Sequence, residues 1–150
     1  MSSEESKYEP EALLNGLYKV KTFEDVFQLM NNIKFAVLGT LYKMMPENYG
    51  MCEPLFYFGM AMGAVYTLLD SYLFAIRLSL PFRYDLRDEI VRDLKDLIGA
   101  YANLRNGELA RAQYDFEAIS NYARKEISSF YENLEEYMKR RTKKQGPTEF

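Results

Sequence analysis

The sequence predicts an all-α protein: a helical bundle of four long helices behind one short N-terminal helix. Apolar residues recur three and four apart through most of the chain, which is the signature of helices with one buried stripe. Proline and capping-type residues punctuate that pattern at about the length of a helix. No region reads as strands joined by turns, and no internal repeat is visible.

Residues 1–9, with the polar and acidic run Ser2-Ser3-Glu4-Glu5-Ser6, read as a flexible N-terminus. Pro10 suits the first position of a helix, where its missing N–H costs nothing, and opens a short helix to Val20. Thr22-Phe23-Glu24-Asp25 has the form of a capping box, with Thr22 as N-cap and Asp25 in the reciprocal place. The helix it starts carries Phe27, Met30, Ile33, Val37, Leu41 and Met44 on one stripe. Pro46 ends it, and Glu47-Asn48-Tyr49-Gly50 makes the connection.

Pro54 opens a third element that runs to Pro81, nearly all apolar from Leu55 to Leu69. A helix apolar all round belongs either at the centre of a bundle or in a membrane. This one approaches the ~20 residues a bilayer crossing needs, and its Gly59-Met60-Ala61-Met62-Gly63 spacing permits close helix approach. Asp70 in its middle, the lack of a basic flank before it, and three amphipathic helices in need of cover favour the central soluble helix. Asp85 with Asp88 looks like a second capping box, followed by Leu86, Ile90, Leu94, Leu97, Ile98, Tyr101 and Leu104. Asn106-Gly107 is a helix-ending pair. Leu109, Ala112, Phe116, Ile119, Ala123, Ile127, Phe130, Leu134 and Tyr137 then form a long regular seam suited to antiparallel packing. The bundle is expected over residues 10–138, and residues 139–150 form a basic C-terminal tail.

Composition narrows the chemistry. Apolar residues at 48% and charged residues at 27% suit a soluble globular domain. There is no histidine, so the commonest general base and metal ligand near neutral pH is missing. The single cysteine, Cys52, allows neither an internal disulfide nor a Cys-x-x-Cys zinc pair, and it has no histidine to activate it as a nucleophile. A small buried or loop residue is the reading for Cys52. With no basic-then-apolar leader at the start, a cytoplasmic setting is expected.

Glu117, Glu126, Glu132, Glu135 and Glu136 raise the question of a di-iron bundle, but that motif needs Glu-x-x-His from two helices. A solvated face is expected for them instead. Asp70, on the most apolar helix, is expected to be a buried polar group paired with Tyr66 or with an arginine from another helix. Phosphate loops and serine elbows are absent. The expectation is therefore a non-enzymatic protein with no catalytic, cofactor-binding or metal-binding residues.

Charge is divided unevenly. Residues 1–138 hold fourteen basic and twenty-one acidic residues, whereas Lys139, Arg140, Arg141, Lys143 and Lys144 cluster at the end. An acidic body is unlike a nucleic-acid binder, so direct nucleic-acid contact is expected only through this tail. The tail complements the helix dipole and can also grip an acidic partner. Tyr114 and Tyr131, off the seam, are expected to be exposed contacts.

Tyr-rich, helical and poor in Cys and His, the chain resembles four-helix-bundle proteins of crenarchaeal viruses. The segments Lys7-Tyr8-Glu9-Pro10 and Ala102-Asn103 with Arg105 carry the likeness to proteins of the archaeal two-tailed virus, among them a coat protein and an RNA polymerase inhibitor. The resemblance implies a viral protein that docks on a large host assembly, with host RNA polymerase as its protein partner. Two other readings stand beside it: a self-associating virion coat or filament protein, and a small helical subunit of a ribonucleoprotein complex.

Overall fold

The computed structural model describes residues 7–44, 52–81 and 83–145, with side chains from 52, 83, 84 and 141–145 left aside. The expected connection through Pro46 to Gly50 therefore lies outside the described residues, as does the side chain of Cys52. Five helices make up the described chain: α1 Pro10–Tyr18, α2 Phe23–Met44, α3 Cys52–Arg77, α4 Arg83–Arg105 and α5 Leu109–Gln145. No strand occurs among the described residues, so the all-α class holds.

Local chemistry places the helix ends. At the start of α2, Asp25 N–H donates to Thr22 Oγ1 at 3.1 Å, and Thr22 N–H donates back to Asp25 Oδ2 at 3.1 Å. That is the reciprocal capping box, strengthened by Lys21 N–H at 3.0 Å. These backbone donors hold the Asp25 carboxyl below its ordinary value. The second expected box is not built as read. Helix α4 begins at Arg83, so Asp85 lies inside the first turn, where it favours the helix dipole without serving as N-cap.

Two C-termini close by the same device. After α4, Gly107 takes φ 82°, Gly107 N–H donates to Leu104 O at 3.0 Å, and Glu108 N–H to Asn103 O at 3.0 Å. After α3, Ser79 takes φ 51°, with Ser79 N–H bonded to Ile76 O at 3.0 Å and Leu80 N–H to Ala75 O at 2.9 Å. Both are Schellman motifs. In the second, a serine occupies the left-handed position that glycine fills at no steric cost, and buried Leu80 and Ala75 complete the apolar contact.

Packing assigns the centre to an unexpected helix. Helix α4 touches all four others, whereas α3 packs mainly on α5 and α4. The α4 stripe is buried throughout, from Leu86 through Ile90, Leu94, Leu97 and Tyr101 to Leu104. The α5 seam meets it with Ala112, Phe116, Ile119, Ala123 and Phe130. Phe116 stands edge-on to Phe58 of α3 at 5.2 Å. Each such fully buried side chain contributes roughly 1.5–3 kcal/mol.

Helix α3 was expected to be central, and its apolar surplus has another outcome. Glu53–Arg77 has the length and composition of a membrane crossing, yet only 39% of its most apolar window is buried. The core needs one face of α3; its other apolar face remains open. Apolar composition sets how much of a helix can be buried, and the number of neighbours sets how much is.

The N-terminal segment is not wholly loose. Tyr101 O–H donates to Tyr8 O at 2.8 Å, and Arg105 pairs with Glu9. The stretch expected to be flexible is thus tied to the end of α4 from Tyr8 onward. Residues 1–6 lie outside the described residues.

Candidate functional site

The residues singled out from the sequence do not form one site. Helix α5 continues unbroken through the basic run to Gln145. Lys139 pairs with Glu135 and Arg140 with Glu136, each at 3.3 Å and one turn apart. All four side chains are exposed, so these pairs are worth little, but they answer two tail cations with the helix's own carboxylates. The side chains of Arg141, Lys143 and Lys144 lie outside the described ones. Tyr114 and Tyr131 are exposed as expected, as are Glu117, Glu132, Glu135 and Glu136, with Glu126 half-buried. Among the described residues, no three acidic or thiol side chains group closely enough to hold a metal ion.

Asp70 requires a correction. It is exposed, on the open face of α3, and not buried. Among the described residues the buried carboxylates are Glu89 and Asp93 of α4, at 7% and 1% exposure. Arg92 Nη2 donates to both Glu89 oxygens, at 2.8 and 2.6 Å, and its guanidinium lies over the Tyr122 ring at 4.1 Å. Asp93 Oδ2 is buried without a hydrogen-bond partner among the described residues. Burial first, and then the neighbouring Glu89 charge, push the Asp93 carboxyl up to about 8. Burial also raises Asp96, one turn on, beside the groove between α4 and α5 where Asn103 Nδ2 donates to Asp115 at 2.9 Å.

Sequence reading passed over this cluster because acids and bases crowd residues 87–96 and suggest a solvated surface. The signal was present in the spacing. Asp93 stands three after Ile90 and four before Leu97, on the buried stripe itself.

Several large apolar side chains face solvent on α2 and α3. Phe23 packs on Tyr72 at 5.5 Å and Phe27 stacks on Tyr66 at 6.4 Å, which sets α2 and α3 antiparallel. The two backbones make few close contacts, and aromatic rings span the gap. On α2, Phe35 (55%), Leu38 and Tyr42 (80%) stand exposed at i, i+3 and i+7. On α3, Leu55 and Phe56 (62%) stand exposed at the matching end of the antiparallel pair, and Phe74 at the other. Gly59 and Gly63 lie on this open face of α3, and a methyl group built on either meets nothing within 4 Å. The GxxxG spacing is therefore not used for packing inside the protein.

No family model, curated protein or solved structure matches this chain. Nothing in these comparisons links the chain to viral proteins.

Proposed function

We propose that this protein is a non-enzymatic helical bundle, four long helices and one short, that works by docking on another protein through the open faces of α2 and α3. One observation carries the reading: Phe35, Leu38, Tyr42, Leu55 and Phe56 are large apolar side chains left exposed on the matching ends of an antiparallel helix pair. Monomeric soluble proteins rarely leave such a cluster uncovered unless it binds something. Aromatic residues on adjoining helices are the usual anchors of protein interfaces.

The partner we propose is a large host assembly, with archaeal RNA polymerase as the named target and the cytoplasm as the setting. An acidic body approaches a basic nucleic-acid channel by charge complementarity, and the apolar face then supplies affinity. The test is transcription by purified archaeal polymerase with added protein, repeated at rising salt. Inhibition that weakens with salt, and that Leu38→Asp and Phe56→Asp abolish without loss of helicity, is expected. Unchanged transcription and no co-sedimentation with polymerase would sink the target.

A structural reading, as a coat or filament subunit, draws on the same face. It predicts assembly of the purified chain alone in sedimentation, with Phe56→Asp returning it to monomer.

A further inference from the structure

A second concavity lies elsewhere on the molecule, and its chemistry is different. Where the α1–α2 corner meets the end of α3 and the start of α4, a cleft of about 520 Å³ opens. Leu17, Leu69, Ile90 and Leu94 form a buried apolar floor. Phe23 and Tyr72, tilted together at 5.5 Å, make one wall. Lys21 and Arg87 line the cleft as exposed cations, and no carboxylate lines it, although acids outnumber bases in the chain.

Neither cation enters an ion pair among the described residues. Asp25 feels the charge of Lys21, but its carboxylate already accepts the backbone N–H groups of Lys21 and Thr22. The cleft thus presents two exposed positive charges beside an apolar floor.

Size selects among occupants. Small-molecule sites run from roughly 300 to 1,000 Å³, with apolar walls and few polar groups. We propose that this cleft binds a small amphiphilic anion, its apolar chain against Leu17, Leu69, Ile90 and Leu94 and its carboxylate or phosphate head at Lys21 and Arg87. The site is separate from the open face of α2 and α3, so either reading can fail without the other.

The test is isothermal titration of the full chain with dodecanoate, dodecan-1-ol and dodecylammonium, each below its micellar concentration. Dodecanoate should saturate at one per chain, the alcohol should bind at least about tenfold more weakly, and the ammonium more weakly still. Lys21→Glu and Arg87→Glu, both at exposed positions, should each weaken dodecanoate about tenfold while the far-ultraviolet circular dichroism is unchanged. Val91→Trp, on the half-exposed rim of a tryptophan-free chain, should change its fluorescence emission saturably as dodecanoate binds. Phosphatidylglycerol vesicles separate a free amphiphile from a bilayer surface, and no co-flotation is expected. Absence of saturation, equal affinity for the three probes, indifference to both charge reversals, or binding to vesicles but not to dodecanoate would each overturn the proposal.

Discussion

Replacing Asp93 by asparagine should abolish a pH dependence of stability that the wild-type fold carries. In the native state the Asp93 carboxyl titrates at about 8, against 3.8 for the free group. Between those values the native chain holds a proton that the unfolded chain releases. Stability therefore falls as pH rises from about 4 to about 8 and levels off above. The slope is about 1.4 kcal/mol per pH unit, and the whole window amounts to something of order 5 kcal/mol. Burial raises this carboxyl most, the Glu89 and Asp96 charges add to it, and the Arg92 charge opposes it.

The Asp93→Asn change keeps the size of the side chain and supplies an amide that can donate to Glu89, so the variant should match wild type near pH 4.5. It should then gain on wild type by several kcal/mol at pH 8. Guanidinium denaturation followed by circular dichroism at half-unit steps of pH supplies both curves, and their difference removes the titration of every other acid. A difference that stays flat from pH 5 to 8 would refute the burial argument. A wild type that gains on the variant as pH rises would show that Asp93 is a charged partner of Arg92.

The helix ends give three smaller predictions. Ser79→Gly should stabilise the fold by about 1 kcal/mol, since the left-handed φ of 51° ceases to cost anything; Gly107→Ala should destabilise by a similar amount, with no clash to blame. A rise and a fall in the denaturation midpoint at unchanged m would check the pair. Thr22→Ala should cost about 1 kcal/mol through the lost cap of α2. Its partner Asp25 has the opposite pH sign to Asp93: its depressed pKa contributes stability above the ordinary carboxylate range that is lost as pH falls through the folded value. In the core, Phe116→Ala should cost about 3–5 kcal/mol and lower the thermal midpoint by roughly 6–20 °C, because Phe116 is fully buried against Phe58.

Much of the architecture was legible because its causes are local. The capping box at Thr22, the stop at Gly107 and the stripes of α4 and α5 depend on residues within one or two turns of each other. Periodicity and turn chemistry are enough to read such features. The Schellman turn at Ser79 escaped notice because its backbone conformation is one that serine rarely takes.

By itself, then, the sequence determined that the chain is helical, where most of its helices begin and end, and which stripe α4 and α5 bury. It could not determine which helix lies at the centre. Helix α3 is apolar on every side, so its pattern gives no direction for the core, and only the packing of α4 and α5 against one side left Phe56, Gly59, Gly63 and Asp70 facing out. The same long-range packing carried Asp93, amid a charged stretch of sequence, to 1% exposure. It also closed the corner of α1, α2, α3 and α4 around a cleft lined by the exposed cations Lys21 and Arg87. Burial and charge pairing depend on neighbours that are remote in the chain, so these decisions belonged to the tertiary structure.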